Sequence, residues 1–546
     1  MVAMKATFHA RFAAVVALAL TMGLASWAKG EDLPREVAAK VDQLLAEEVL
    51  RDLPAGMTLA RRTADEAFLR RIYLDLVGQS PLPGEVTAFV LDPAKDKRAK
   101  IVTTLLADPR YGANWARYWR DIILYRRSAE QALFLTGQLE PFLTEQFNRN
   151  VSWSKIVEAF VSAQGSTSEH GETALIAAQF AQTVDVAAET SRIFLGIQIQ
   201  CAQCHDHPTD RWKRQQFHEF AAFFPRVGLQ RSQTGGQPGV TIMGADNGPL
   251  TRGQGGFPQG AREHFMPDLK DPSSQGTMVA PVFFLTGQKI ETGTRDADRR
   301  GALAEWLTAK ENSWFAKAVV NRLWAELVGE GFYEPVDDLG PDRTASAPKT
   351  LDYLAGEFAA HGYDLKWLFE SITSTDAYQR ESQPRRNPDQ PPFTANVPQR
   401  LRADQLLDVL SVALGFDMAG GQPAGAGRFQ FGFRQQFDQL FGYDPSVRRD
   451  QVTSSIPQAL MMMNGPVVNR RLDARQSATV LGRLLSGKLS DEEIAVEVYL
   501  RCLAREPNDV ELKVCLDHVR ALGNRVDAFE DIFWSLLNSE EIRYRN

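Results

Sequence analysis

The chain has 546 residues, 44% of them hydrophobic and 24% charged, with a formal net charge of −7 at neutral pH. That length predicts two or more domains, each large enough for its own core, and the mildly acidic balance excludes nucleic acid as a general partner. Four cysteines are too few for a disulfide-built scaffold; Cys502 and Cys515 are open either to pairing in an oxidising compartment or to burial as free thiols.

At the N-terminus, Lys5 and Arg11 precede an apolar run from Phe12 to Leu24, and no acidic residue appears before Glu31. Residues 1–28 therefore read as a secretory signal peptide cleaved after Ala28. The mature chain is expected in the periplasm or outside the cell. The run is too short to span a bilayer comfortably, and no later stretch supplies the roughly 18 uninterrupted apolar residues that a span needs.

Residues 33 to 160 carry the periodicity of successive amphipathic helices. Asp65 is expected to cap one that presents Phe68, Leu69, Ile72, Tyr73 and Leu76 on one side, broken between Gly78 and Pro83. Beyond Asp108-Pro109, Trp115, Tyr118, Trp119 and Ile122 fall at helical spacing, which favours core over cofactor wall. A further helical run, Val184 to Ile199, delivers the chain to the stretch that carries chemistry.

That stretch is Cys201-Ala202-Gln203-Cys204-His205-Asp206-His207-Pro208. Two cysteines separated by two residues, with histidine directly after, have the spacing of a c-type haem attachment site. Each thiol adds across one vinyl group of the same porphyrin, so the sulfurs must lie about one helical turn apart. Cys201 and Cys204 would be the tethers and His205 the proximal iron ligand. Two other readings remain: a zinc or iron site built from Cys201, Cys204 and either His205 or His207, and a structural or redox thiol pair. Downstream, Trp212 to Phe224 resumes a helix that includes His218. Asp206, Asp210, Arg211 and Lys213 crowd the motif, the bases being placed either to meet haem propionates or to pair with neighbouring acids.

Residues 228 to 295 change character. Ten glycines between Gly228 and Gly260 predict a long loop or irregular hairpins, with Val279 to Leu285 as the best strand candidate. Met243, His264, Met266 and Met278 are each conceivable sixth ligands for a haem, though loop or packing roles suit them individually better. Helical spacing then returns over Arg299–Leu307, Trp314–Val328, Leu351–Ala360, Asp364–Tyr378, Glu492–Leu503, Val510–Leu522 and Asp527–Leu537. The expectation is a mainly α fold, two helical lobes separated by a glycine-rich irregular insert with little strand.

Phe68-Leu69-Arg70-Arg71-Ile72-Tyr73-Leu74-Asp75-Leu76-Val77-Gly78, the segment from Asp108 to Trp119, and Cys201 to Phe224 together resemble the planctomycete cytochrome c-associated domain, of unknown function. Asn321-Arg322-Leu323-Trp324, Pro335-Val336-Asp337-Asp338, His361-Gly362-Tyr363-Asp364, Met463-Asn464 and Trp534-Ser535-Leu536-Leu537 resemble its usual C-terminal companion. The resemblance places the associated domain at 36–225 and the companion domain at 297–546, and with the signal peptide at 1–28 and the glycine-rich insert at 226–296 it gives the expected domain order. It implies exported proteins that often travel with true cytochrome c modules, and no established activity.

No catalytic constellation emerges. Gly482 to Lys488 approaches a phosphate-binding loop, but Leu489 stands where Ser or Thr belongs. Asp337, Asp338 and Asp342 form an acid cluster with a solvated loop as its plainest reading, and Met461-Met462-Met463 suits core filling better than soft-metal binding. Three functions are expected to compete: an extracytoplasmic electron-transfer protein carrying haem c with an unidentified redox partner; a scaffold or interaction protein with a structural zinc; and an enzyme acting on an external polymer.

Overall fold

The computed structural model describes residues 33–546 apart from 52, 55, 128, 235–236, 245, 247–250, 253–257, 260–262, 386, 388, 417–426 and 449–450. The signal-peptide segment 1–28 lies outside the described residues. Where apolar residues recur at three and four the chain is helical, and the fold is mainly α. The helices that position the site and its surroundings are α1 (Pro34–Leu45), α2 (Asp65–Val77), α3 (Lys97–Ala107), α4 (Pro109–Leu124), α5 (Trp153–Ser162), α6 (Thr183–Leu195) and α7 (Arg214–Ala221). After the insert come α8 (Asp296–Thr308), α9 (Ser313–Val328), α10 (Pro348–Ala360), α11 (Leu365–Ser374), α12 (Ala403–Leu414), α13 (Asp491–Leu503), α14 (Asp509–Leu522) and α15 (Arg525–Leu537). Among the described residues no helix is long and apolar enough to cross a membrane.

Helix α2 shows how sequence, termination and packing connect. Gly78 ends it in the left-handed region at φ 71°, its N–H reaching the carbonyls of Tyr73 and Leu74. A Cβ there would lie 2.7 Å from the Asn114 side chain of α4, and Asn114 Nδ2 donates to the carbonyls of Asp75 and Leu76 that the helix end leaves open. Every residue from Phe68 to Val77 is buried, Arg70, Arg71 and Asp75 included. The one-sided stripe read from the sequence is therefore too narrow, because the charged residues of the other side are paired. Arg70 donates to the Tyr544 carbonyl at 2.7 Å, Arg71 to that of Arg380 at 2.9 Å, and Asp75 meets Arg545 at 2.8 Å.

Asp65 does not cap α2 as expected. Ala64 occupies the cap position, while the Asp65 carboxylate turns to Lys97 at 2.8 Å and Arg98 at 2.7 Å on α3. Two cations at ion-pair distance hold the carboxylate more strongly than the helix's own N–H groups would.

The apolar side chains form two clusters. One runs from Val37 to Phe393 and takes residues from both sides of the insert; it is joined by Leu500 and Ala504 of α13. The other runs from Leu401 to Ile542 and is joined by Leu74 of α2. The cores thus meet near residue 400. Trp115, Tyr118 and Trp119 lie inside the first, with the Trp119 ring 4.3 Å from that of Trp153 and tilted to it, and Trp115 4.5 Å from Phe369.

The insert contains more regular structure than its glycines predict. Strands β2 (Val227–Thr234) and β3 (Gln237–Gly244) pair antiparallel over all eight residues of each, and β1 (Gly165–Ser166) joins the far edge of β3. Val227, Leu229 and Ile242 turn into the core, the alternation that fixes register in a half-buried hairpin. The strand expected at Val279 to Leu285 is not there. A short pair, β4 (His264–Met266) with β5 (Thr277–Val279), ends as that segment begins. Pro281 lacks the N–H a ladder needs, and Phe283 and Phe284 are buried instead against Phe220.

Candidate cofactor site

Helix α6 stops at Gly196, a left-handed residue at φ 68° whose carbonyl accepts from Leu339 N at 2.7 Å. The expected helix through Ile199 is thus cut four residues short. The chain re-forms as a 3₁₀ turn over Ile199–Gln203. With three residues per turn, positions three apart eclipse. Cys201 and Cys204 are accordingly both exposed and free, while Ile199 and Ala202 are buried beneath them.

His205 is exposed, and its Nδ1 donates to the Asp206 carbonyl at 2.7 Å. A carbonyl only accepts, so Nδ1 carries the proton and Nε2 keeps its lone pair, the tautomer that an iron-binding imidazole needs. Asp206 in turn receives the Arg214 backbone N–H and the Lys213 ammonium, each at 3.0 Å. These partners hold its carboxyl below the usual range. The motif loop is therefore tied to the first turn of α7. His207 is half-buried, its backbone N–H donating to the Trp212 carbonyl at 2.8 Å.

Two histidines far apart in sequence meet under the loop. His218 Nε2 lies 3.0 Å from the carbonyl of Gln203, between the two cysteines, and its Nδ1 lies 2.9 Å from His264 Nε2 of β4. Because the carbonyl must accept, the neutral pair has one arrangement: His218 donates through Nε2 and accepts at Nδ1 from His264. Burial lowers the pKa of His218, and burial together with His218 pushes His264 down to about 4. Of the conceivable sixth ligands, His264 is the one this network connects to the loop. Met243 and Met278 are exposed. Met266, also on β4, is half-buried.

The remaining predicted groups have other partners. Lys213 pairs with Asp206, and Arg211 reaches Asp342 at 2.9 Å. Asp210 is buried and accepts the Arg211 backbone N–H. Asp338 pairs with Arg343. Asp337 is not on a solvated loop: it is buried with Arg192 at 3.0 Å and Gln198 at 2.8 Å, and Arg322 and Arg192 hold its carboxyl below the usual range. Sequence reasoning missed this hub, which links the residues just before Cys201 to the second half of the chain. Its only signal was a single arginine inside the apolar run of each helix, Arg192 in α6 and Arg322 in α9. Gly482 sits in the first turn of a helix, Val480–Ser486, rather than in a loop, and Met462 is core. Cys502 and Cys515 are buried free thiols, the first pushed well up by burial. Among the described residues no group of three or more His, Cys, Asp or Glu side chains is arranged to hold a metal ion.

Residues 40–228 match the family model PSCyt2, a protein of unknown function (DUF1549), and residues 299–425 match PSD1, a protein of unknown function (DUF1553). The chain carries this planctomycete domain pair. The PSCyt2 segment contains the whole cysteine motif together with α7, and the PSD1 segment contains Asp337 and α9 to α12. Several resembling stretches, Met463-Asn464 and Trp534 to Leu537 among them, lie beyond the PSD1 match. No curated protein and no solved structure matches the chain.

Proposed function

We propose that this PSCyt2–PSD1 protein is exported and carries a c-type haem on Cys201 and Cys204, with His205 as proximal ligand, for electron transfer outside the cytoplasm. The observation that carries the reading is the donor set: two free, exposed thiols one turn apart, followed by an imidazole whose Nδ1 is occupied and whose Nε2 is not. Cys201 and Cys204 would hold the group through thioethers, each the product of adding S–H across a vinyl C=C, which needs no oxidant or reductant. Haem would supply a one-electron centre at the surface. The chain's part is to fix the tethers on the buried Ile199 and Ala202, to orient His205 through Asp206, and to present Lys213 and Arg211 at the rim.

Expression with a c-type maturation system, followed by a denaturing gel stained for haem and by intact mass, tests the proposal. Haem should survive denaturation in the wild type, attachment should weaken with Cys201→Ser or Cys204→Ser, and His205→Ala should leave tethered haem with altered axial ligation. A secreted protein at apo mass would overturn it; stoichiometric zinc in that product would favour the structural-metal reading with His207.

A further inference from the structure

The strand pair β4 and β5 lies in the insert, outside both family segments, yet it is bonded to each of them. Glu263, directly before β4, takes Arg226 of the first segment at 2.7 Å and Arg299 of α8, in the second, at 2.7 Å. His264 then lies 2.9 Å from His218 of α7, and the carbonyl of Pro267, directly after β4, accepts Arg214 Nη2 at 2.6 Å. Beyond β5, Val282 N donates to the Glu219 carbonyl of α7 at 3.1 Å.

Arg214 and His218 stand one turn apart on α7, so their side chains share a face. Both reach from the insert to one atom of the cysteine motif. Arg214 Nε donates to the Gln203 carbonyl at 3.3 Å and His218 Nε2 donates to it at 3.0 Å, which occupies both lone pairs of the carbonyl directly before Cys204. Gln203 is the last residue of the 3₁₀ turn that carries Cys201. Such a turn has poor hydrogen-bond geometry of its own, so donors from outside bear on where the two sulfurs sit.

We propose that the insert is a strap that presents Cys201 and Cys204 as a pair to a single partner bonding to both, with Arg214 and His218 as positioning residues. The inference rests on the reading that the two thiols act on one group, and it holds whether that group is haem or a metal. Sulfurs ordered in advance spare a two-bond partner the cost of ordering them. Loosening the strap therefore weakens a partner that needs both sulfurs and leaves unchanged a reagent that needs one.

Two thiol reagents on the full mature chain separate these effects. Phenylarsine oxide condenses with two thiols: two As–S bonds form, the oxygen leaves as water with both thiol protons, and arsenic stays trivalent. Iodoacetamide alkylates one thiol at a time. Cys502 and Cys515 are buried, which leaves the motif as the reactive pair. The wild type should bind the arsenical one to one. Arg214→Lys keeps the charge but cannot span the Gln203 and Pro267 carbonyls, and Glu263→Gln loosens the strap without touching the motif. Each should weaken arsenical binding by about three- to tenfold, while Cys201 and Cys204 alkylate at the wild-type rate. The proposal is overturned if both variants hold the arsenical as tightly as wild type, or if alkylation accelerates in step, which would mean an unfolded loop rather than misaligned sulfurs. A wild type that takes no arsenical overturns it together with the reading of two thiols acting on one group. Apo mass after c-type maturation, beside the expected arsenical results, supports the strap and removes haem alone as its partner.

Discussion

Asp296 and Arg300 face each other one turn apart on α8, both wholly buried and 2.6 Å apart, with Arg300 also donating to the carbonyls of Val161 and Ala163 at the end of α5. Asp296→Ala leaves that guanidinium in the core without its acid. The expected loss is about 3–5 kcal/mol, read from the urea midpoint; a loss below about 1 kcal/mol would show that the carbonyls alone suffice. His218 and His264 give a prediction of a different sign. Both are held neutral when folded, with pKa values below the ordinary 6.5, and His264 near 4. As pH falls through that window the unfolded chain takes up protons that the folded chain refuses, so stability present above pH 6.5 is lost toward pH 4. His264→Gln should flatten the slope of unfolding free energy against pH in that interval. These pairs were not legible in the sequence. A charged residue within a helical stripe looks the same whether it faces water or a partner 470 positions away, as Asp75 does with Arg545.

At the scale of elements, periodicity places most helices of the second half to within a few residues: it predicts Arg299–Leu307 where α8 runs from Asp296 to Thr308, and Glu492–Leu503 where α13 runs from Asp491 to Leu503. One-sided burial repeated over several turns is what makes such segments readable. The motif was readable for another reason, since its spacing is chemical. What holds it was not, because Gln203 offers a backbone carbonyl and any residue type would do. The insert failed on both counts: glycine content hid a regular hairpin, and Phe283-Phe284 looked like a strand although they serve as a plug beside α7. Phe283→Ala should therefore cost about 3–5 kcal/mol, far more than a loop residue would, and hydrogen exchange should rise in α7 as well as in the insert. Unchanged protection of α7 would separate the two elements.

At the scale of the molecule, the family matches divide the chain at the insert while the larger core does not. A protease site placed in the exposed stretch 271–274 should yield two fragments on a denaturing gel that still elute together as one native species, because α8, α9 and α10 share a core with α4, α5 and α6. Separation into two folded pieces under native conditions would contradict that packing.

The contacts of α2 also impose an order in time. Its guanidinium groups are received by the carbonyls of Glu541, Ile542, Tyr544 and Asn546, and β7 (Tyr544–Arg545) pairs with β6 (Gln399–Arg400) to place them. Helix α2 therefore lacks these acceptors until residues 541–546 have been made. Without residues 541–546, amide exchange should rise in α2, and unchanged protection there would show that these acceptors do not hold it.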